Sequence, residues 1–236
     1  MNEPLLKTMS GQITTRIREK ILSGAYAPGA ALLQDALAAE FGISKIPVRE
    51  ALLQLRADGL VDIYAHRGFQ VRQLSAREAE EVFRLRLQIE PAAAAEGARR
   101  ASNEDRTAAK AALTALNDAL AANELKDAGE LNAAFHVALS VPRVSPVTSE
   151  ILYRLHTLSQ RYVRLHLLPP GRIKRANQEH TALFNAWAAK KTKEIQQLAQ
   201  AHIEQTRGEL AEVLSADSLA AVVADPQGTR RARRRE

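Results

Sequence analysis

The chain has 236 residues and a formal net charge of +6, but the segment 229–236 (five Arg and one Glu) contributes most of that excess, so total charge does not establish nucleic-acid binding. There is no cysteine and only 4% aromatic residues, which excludes a disulfide framework, a thiolate nucleophile and a zinc–cysteine site, and disfavours a stacking platform for single-stranded nucleic acid. No run approaches the roughly 18 apolar residues of a membrane span, and residues 1–10 lack a hydrophobic signal core, so we expect a cytoplasmic protein with no membrane partner.

Residues 10–74 are predicted to form a winged helix-turn-helix, that is, three helices followed by a β-hairpin wing. Isoleucines recur every four residues across the first predicted helix, and a glycine follows it. A second, short helix is expected at 34–41, and a glycine turns the chain into the third. After the third helix the period changes from 3.6 to 2, which indicates a hairpin with its tip at 65–68. The apolar positions that alternate with polar ones are Val61, Ile63, Phe69 and Val71.

The most informative segment of this domain is 44–59, which is predicted to be a helix with one buried face. Ser44 is a good N-cap, because its hydroxyl can accept a bond from a first-turn amide, and Gly59 follows the last periodic residue. Lys45 and Arg49 lie four residues apart and off the apolar stripe. That stripe consists of Val48, Ala51, Leu52 and Leu55. Two cations near the N-terminus of such a helix are typical of DNA recognition, although on an isolated helix they would indicate only a solvated face.

Residues 75–215 are predicted to form an all-α antiparallel bundle, which makes the chain mainly α-helical. A capping box at 75–78 begins its first helix, and Pro91 is expected to kink or split that helix. The later helices are predicted at 103–122, 127–140, 147–168, 172–190 and 192–215. The fourth helix of the bundle is expected to turn inward Ile151, Leu155, Leu158 and Tyr162. Residues 216–236 are expected to form a disordered Arg-rich tail, which either adds non-specific DNA affinity or is functionally idle.

The segment 27–61, APGAALLQDALAAEFGISKIPVREALLQLRADGLV, resembles the winged-helix signature of the GntR family of bacterial transcription regulators. Its most specific parts are Pro-Val-Arg-Glu-Ala-Leu at 47–52 and Asp-Gly-Leu-Val at 58–61. The second half of the chain resembles the all-helical effector domain of the FadR-like subgroup, the FCD domain. The residues that carry this second resemblance are Leu85, Arg86, Glu90, Asn132, Phe135, His136, Glu179, His180 and His202.

The resemblance implies that Ser44, Lys45 and Arg49 face the major groove of operator DNA. Arg49 can form a bidentate contact with guanine, and Lys45 is a looser donor to guanine or phosphate. Ser44 can bind a phosphate at the helix N-terminus, and Ile46 can touch a thymine methyl. The hairpin tip is implied to lie near the adjacent minor groove, through His66, Arg67 and Gly68. The family usually has Arg and often Thr at positions 45 and 46, and often a basic residue near Asp35, so the operator sequence is not predicted.

Asn132 and His136 lie four residues apart and share a helix face, while His180 and His202 lie in apolar stripes of later helices. Three inward imidazoles either find separate partners in the core or share one metal ion. The resemblance places all four residues at the metal positions of the subgroup, which implies a divalent metal, zinc or nickel. Because the family commonly has Asp at the first position, Asn132 either weakens the site or makes the ion a stronger anion receptor. Arg86 is then expected to contact the carboxylate of an effector.

These observations predict a ligand-responsive transcription regulator, expected to be a repressor, rather than an enzyme. It is expected to bind a near-palindromic operator as a homodimer and to respond to a small organic acid. Two alternatives stay open. One is a metal-dependent hydrolase, although no acidic residue is expected beside the histidines and Glu179 is expected to point away from them. The other is a ligand-free architectural DNA-binding protein, whose core histidines would pair with protein groups.

Overall fold

The structure, a computed structural model, describes residues 8–122, 125, 127–167 and 169–214. The described part divides into two compact units on either side of the Leu74–Ser75 peptide bond, and each unit has an apolar core. None of the described helices is both long enough and apolar enough to cross a bilayer. The predicted tail at 216–236 lies outside the described residues.

The first unit is a winged helix-turn-helix, as predicted. Helices α1 and α2 pack against the buried face of α3, and β1 continues from that core into the wing. The two strands pair antiparallel, with Val61 opposite Val71 and Tyr64 opposite Gly68 beside the tip. The elements are α1 (Met9–Leu22), α2 (Gln34–Phe41), α3 (Lys45–Ala57), β1 (Val61–Tyr64) and β2 (Gly68–Val71).

Two local details of this unit differ from the predictions. Ile63 was expected to share the inward face of its strand with Val61, but its side chain is 42% exposed, because the outer half of β1 extends beyond the helices into the wing. Ser44 stands at the N-cap position of α3 with an extended backbone, yet its hydroxyl accepts no capping bond from the described first-turn amides. Gly42 ends α2 as expected, with a φ of +68° that favours glycine.

The second unit is a bundle of helices, also as predicted. Helix α4 packs along α9 and α7, and α6 lies against both α5 and α7. The hydroxyl of Ser75 accepts from the backbone N–H of Glu78 and caps α4, which is half of the expected capping box. The described helices of this unit are α4 (Ala76–Arg100), α5 (Asn103–Ala121), α6 (Ala128–Ser140), α7 (Pro146–Leu167), α8 (Arg172–Ala188) and α9 (Thr192–Val213).

Helix α4 continues through Pro91, so of the two expected effects the split does not occur, whereas the kink stays a prediction. A proline in a helix interior costs about 3 kcal/mol or more, because one hydrogen bond is lost and its ring crowds the preceding turn. Burial of apolar side chains on both sides of Pro91, from Val82 and Phe83 to Ala98, offsets this cost, since each large apolar side chain contributes about 1.5–3 kcal/mol. The uninterrupted helix keeps Arg86 and Glu90 on one buried face.

Helix α7 buries a different face from the predicted one. Leu155 and Tyr162 are buried as expected. Ile151, however, is 43% exposed, and Leu158 is only partly buried. The buried face instead contains the polar side chains of His156, Ser159 and His166. The prediction considered apolar residues alone. It therefore assigned Ile151 to the buried face and left out the buried polar residues.

Gly97 is expected to tolerate no side chain, because α4 approaches α6 closely at this residue. A Cβ atom on Gly97 would lie 2.4 Å from the carbonyl oxygen of Leu139. Gly97→Ala should therefore lower the free energy of unfolding by about 1–3 kcal/mol. Gly208 in α9 provides a matched control, because a Cβ atom there would meet no described atom within 4 Å. Gly208→Ala should raise the free energy of unfolding by about 0.5–1 kcal/mol.

Urea unfolding of the two variants beside the unsubstituted protein measures both effects. The substitution is chemically the same in each case, so the difference in sign isolates the packing of α4 against α6. A Gly97→Ala protein as stable as the Gly208→Ala protein would show that the two helices are not in close contact.

Candidate functional site

The three histidines that were predicted to lie inward meet at one place in the second unit. His136 comes from α6, His180 from α8 and His202 from α9, and all three side chains are buried. Their candidate ligand nitrogens lie within 4.8 Å of one another, and the Nε2 atoms of His180 and His202 are 3.2 Å apart. Asn132, one turn before His136, is buried and lines the same cavity as His180 and His202.

Two carboxylates hold the far sides of these rings. Nδ1 of His136 lies 2.7 Å from Oε1 of Glu90, and Nδ1 of His202 lies 2.7 Å from Oε2 of Glu179. A carboxylate can only accept a hydrogen bond, so each Nδ1 carries the proton and each Nε2 presents a lone pair. This arrangement is the one that histidine ligands usually show around a metal ion.

The two carboxylates correct the expectation that no acidic residue lies beside the histidines. Glu90 belongs to α4, and its contact with His136 depends on how α4 is rotated against α6, which the sequence does not specify. Glu179 precedes His180 on α8 and was expected to point away. Its flexible side chain instead reaches across to His202 on α9. The signal available in the sequence was the pair Arg86 and Glu90, four residues apart within an otherwise apolar face of α4.

Burial keeps the imidazoles of His136 and His180 uncharged. Desolvation lowers the pKa of His136 to about 4, although Glu90 opposes the shift. Desolvation also lowers the pKa of His180 well below its ordinary value, and His202 adds to the effect. Burial by itself would raise the pKa of the Glu90 carboxyl, but Arg86 and the adjacent histidines hold it well below its usual range. Near neutral pH His136 and His180 are therefore neutral and lie near the carboxylate of Glu90, and a histidine must be neutral to bind a metal.

The cluster fits a divalent metal ion better than three separately paired core histidines. Within the described part of the chain, Nε2 of His136 and Nδ1 of His180 have no hydrogen-bond partner. Leaving a buried polar atom unpaired costs about 1–3 kcal/mol, and a shared ion would satisfy Nε2 of His136. The 3.2 Å between Nε2 of His180 and Nε2 of His202 is also close to the spacing of about 3.4 Å between two nitrogens of a tetrahedral zinc site.

Arg86, the predicted effector contact, is buried and already has a carboxylate partner. Its Nε donates to Oε2 of Glu90 over 2.8 Å, and its Nη2 donates to Oε1 over 3.2 Å. Its Nη1 donates to the hydroxyl of Ser159 over 3.4 Å. The pair with Glu90 has the bidentate geometry that arginine also uses with a bound carboxylate. An external carboxylate would therefore have to compete with Glu90.

The cavity beside the histidines is small. Its volume is about 10 Å³, which is about the space of one water molecule or ion. An organic acid is larger than this, so the cavity must enlarge before such an effector can enter. The charged and polar side chains that line it are Arg86, Asn132, His166, His180, His202 and Thr206.

Two further histidines of α7 lie beside the cluster, and the sequence patterns assigned neither to the metal. His156 stacks on His136 with ring centroids 5.7 Å apart, and its Nε2 is 3.5 Å from Oε2 of Glu90. His166 lines the cavity, with Nδ1 3.1 Å from Oε2 of Glu209. Burial lowers the pKa of His156 to about 3 and that of His166 to about 4. Both are therefore neutral near pH 7. Their position emerges only from the packing of α7.

The predicted DNA contacts are all exposed in the first unit. The contacts predicted for α3 lie at the N-terminal end of this helix, the predicted recognition helix. Those predicted for the wing lie at the hairpin tip, where His66 and Gly68 have positive φ angles. The side chain of Ile46 is 71% exposed, which leaves it accessible to a partner. The structure gives no DNA contact for any of them, so these contacts stay a prediction. The exposed residues are Ser44, Lys45, Ile46, Arg49, His66, Arg67 and Gly68.

Lys45 forms an ion pair with Asp35 of α2, whereas Arg49 pairs with none of the described acidic residues. Both members of the Lys45–Asp35 pair are mostly exposed, and such a pair contributes only about 0–1 kcal/mol. A DNA phosphate can therefore replace Asp35 as the partner of Lys45. Arg49 needs no such exchange before it can form a contact.

Two family models match the chain. Residues 9–71 match the model of bacterial regulatory proteins of the gntR family. Residues 81–205 match the FCD domain, and this match alone covers more than half of the chain. The first match lies within the winged helix-turn-helix unit and the second lies within the helical bundle.

Curated relatives carry the names of transcription regulators. The chain is 32% identical to YdhC of Bacillus subtilis over 34% of its length and 35% of YdhC. It is 26% identical to McbR of Escherichia coli over 61% of its length and 65% of McbR, so it aligns with less than two thirds of either relative. It is also 26% identical to the transcriptional repressor GlaR of Escherichia coli, over 79% of its length and 89% of GlaR. The solved structure of Escherichia coli McbR/YncC has the same fold, with a TM-score of 0.75 at 22% identity over 87% of this chain and 98% of that one.

Proposed function

The chain belongs to the GntR family of bacterial regulatory proteins and carries an FCD domain, and from that premise we propose that it is a ligand-responsive repressor of transcription. Residues 10–74 would bind DNA, and residues 75–215 would bind metal and effector and form a homodimer in the cytoplasm. A twofold dimer presents two identical DNA-binding heads, which is why we expect a near-palindromic operator. The name of the relative GlaR, a transcriptional repressor, supports repression rather than activation.

One observation carries the proposal: a recognition helix with an exposed cationic N-terminus and a buried three-histidine cluster occur in the same chain. The first feature supports sequence-specific DNA binding, since α3 buries Val48 and Leu52 and turns Lys45 and Arg49 to solvent. The second supports a ligand site that is separate from the DNA surface. A regulator needs both features, because a signal must be received at one site and expressed at the other.

Arg49→Ala is expected to weaken operator binding by about 1–3 kcal/mol, which is about 5- to 150-fold in the dissociation constant. The guanidinium of Arg49 is exposed and has no described acidic partner, so it can present both donors to a guanine. Fluorescence anisotropy on a duplex selected in vitro with the unsubstituted protein measures the change. Arg56→Ala is the control, because Arg56 is exposed in the last turn of the same helix. Superimposable titration curves for Arg49→Ala and the unsubstituted protein would refute the contact.

We propose that His136, His180 and His202 hold a divalent metal ion, with the amide oxygen of Asn132 available as a further, weaker ligand. Zinc and nickel both suit a three-imidazole site. Because Asn132 is neutral, the bound ion would keep its full positive charge. It would supply an electropositive centre that attracts the carboxylate of an organic acid. Arg86 lines the same small cavity as Asn132, His180 and His202, so one carboxylate could contact both the ion and Arg86.

The cavity of about 10 Å³ must enlarge before an organic acid can enter, and its lining includes Arg86, which is paired with Glu90. We propose that the effector carboxylate takes the place of Glu90 on Arg86 and that α4 moves in consequence. An effector changes DNA binding only if it binds one arrangement of the protein better than another, and an exchange of partners within α4 provides that difference. Helix α4 follows directly on the first unit in the sequence.

Metal analysis of the purified protein, followed by thermal-shift screening of small organic acids, tests this proposal. An acid that stabilises the metal-loaded protein should also change its affinity for the selected operator. If no acid from a broad screen stabilises the protein, or if the stabilising acid leaves operator affinity unchanged, the effector part of the proposal fails. If the protein selects no duplex in vitro, the DNA-binding part fails.

The structure bears on the two alternatives, a metal-dependent hydrolase and a ligand-free architectural protein. Glu90 and Glu179 lie beside the histidines, so the lack of an acidic residue no longer argues against a hydrolase. The family and its named relatives are nevertheless transcription regulators rather than enzymes, and both carboxylates are bound to imidazole nitrogens. The small cavity favours a ligand-free architectural protein, whereas the unpaired Nε2 of His136 favours a metal site. Metal analysis distinguishes these two.

A further inference from the structure

We infer that Glu90 and Glu179 are positioning residues of the metal site, and that Glu90 couples the occupancy of Arg86 to the geometry of His136. This inference rests on the proposed metal site and adds two residues that bind no metal themselves. The carboxylates would act by fixing which nitrogen of each imidazole is protonated and by holding each ring in one orientation.

Glu90 binds two functional residues through the same carboxylate. Oε1 accepts from Nδ1 of His136 over 2.7 Å and from Nη2 of Arg86 over 3.2 Å, while Oε2 accepts from Nε of Arg86 over 2.8 Å. His156 also faces this carboxylate, at 3.5 Å. All of these groups are buried, so water cannot replace a lost partner at low cost.

Glu179 performs the same task at the edge of the cluster. Its Oε2 lies 2.7 Å from Nδ1 of His202, and its Oε1 lies 3.2 Å from Nε of Arg175. The side chain of Glu179 is 29% exposed, in contrast to the fully enclosed Glu90. A substitution at Glu179 therefore leaves no buried charge unpaired, and it tests the positioning role without a large change in stability.

His180 differs from the other two histidines. Its Nδ1 has no partner among the described residues, and no described carboxylate contacts its ring. Two imidazoles are thus fixed by carboxylates while the third is held by packing against Phe135 and its neighbours. The metal affinity of the site should depend on the two carboxylates, because they set the orientation of two of the three imidazole ligands.

The coupling follows from the shared carboxylate. Oε1 of Glu90 accepts from both Arg86 and His136, so an anion that takes over Arg86 changes the hydrogen bonding of His136 as well. Anion binding at Arg86 and metal binding at His136 are then linked through one side chain. Linkage of this kind is reciprocal, so the metal would change anion affinity by the same factor.

Glu179→Gln and Glu90→Gln in the full-length protein test the inference, with Zn²⁺ and Ni²⁺ alone as probes. Competition with a chromophoric chelator gives the metal dissociation constant, which should rise about 10- to 100-fold in each variant. The visible absorption of bound Co²⁺ should also change, because it reports the geometry of the ligands rather than the stability of the fold. Glu204→Gln is the matched control, since Glu204 lies two residues from His202 on the same helix and pairs with Arg207 at the surface.

The outcomes distinguish a failure of the positioning role from a failure of the proposed metal site. If the unsubstituted protein binds no metal, the metal site fails and the inference falls with it. If it binds metal and both glutamine variants match it in affinity and Co²⁺ spectrum, only the inference is overturned. If Glu90→Gln does not fold, because Arg86 has lost its buried partner, Glu179→Gln decides the positioning role alone. A folded Glu179→Gln protein with unchanged affinity would then overturn that role.

Discussion

His180→Ala should lower the affinity of the protein for Zn²⁺ or Ni²⁺ by about 100-fold or more. His180 supplies one of three imidazoles whose ligand nitrogens lie within 4.8 Å of one another, and its Nε2 faces that of His202 over 3.2 Å. Four-ligand zinc sites bind the ion with about 10–16 kcal/mol, so one ligand contributes about 3 kcal/mol. That free energy corresponds to about 100-fold in affinity.

Metal content after dialysis and competition titration measure this loss. His66→Ala is the control, because His66 is an exposed histidine at the hairpin tip of the other unit. Replacement of the buried imidazole of His180 leaves a void, so circular dichroism of the metal-free variant must first show an intact fold. A folded His180→Ala protein that still retains one tightly bound metal ion would contradict the assignment of His180 as a ligand.

Arg86→Met should lower the free energy of unfolding by about 3–5 kcal/mol. Arg86 and Glu90 are almost completely buried and form a bidentate pair, so the substitution leaves the carboxylate of Glu90 charged in the interior without its main partner. Substitution of both Arg86 and Glu90 by Met should cost less than the single change, because the double variant has no buried charge at this place. We expect the double variant to be more stable than Arg86→Met even though His136 loses Glu90 as its hydrogen-bond acceptor.

Urea unfolding of the single and double variants measures these effects, with Arg207→Met as the control. Arg207 pairs with Glu204 and Glu80 at the surface, where such pairs contribute about 0–1 kcal/mol. An Arg86→Met protein no less stable than Arg207→Met would mean that Glu90 finds sufficient partners in the histidines alone. A double variant less stable than Arg86→Met would mean that the pair stabilises the fold as a unit.

Most of the fold could be predicted from the sequence because its signals are local. Gly42 ends α2 with a positive φ, and Ser75 caps α4 with its own hydroxyl, so both boundaries depend on residues at the boundary itself. The buried face of α3 follows from the spacing of its apolar residues. The same argument turned His180 and His202 inward, since each lies within the apolar stripe of its own helix, and both are buried.

The remainder depends on contacts between helices, which a single sequence does not specify. Glu90 reaches His136 only because α4 is rotated to face α6, and Glu179 reaches His202 through a long side chain that crosses between helices. Helix α7 shows a second reason why the sequence alone was insufficient, because polar residues can also be buried. Its inward face contains His156, Ser159 and His166, which contact side chains of other helices, and a rule based on apolar spacing assigns Ile151 to the core instead.

Two groups contact the carbonyl oxygen of Leu139. Nε1 of Trp187 donates to it over 3.0 Å, and the backbone of α4 lies against it at Gly97. A slide of α4 along α6 would therefore disturb the close approach at Gly97, whereas the proposed movement of α4 requires only a pivot about that residue. The N-terminal end of α4 at Ala76 is about 30 Å of helix away from that point, at about 1.5 Å per residue. If the proposed change of partner at Glu90 tilts α4 about Gly97 by only a few degrees, the N-terminal end of α4 would move by ångströms.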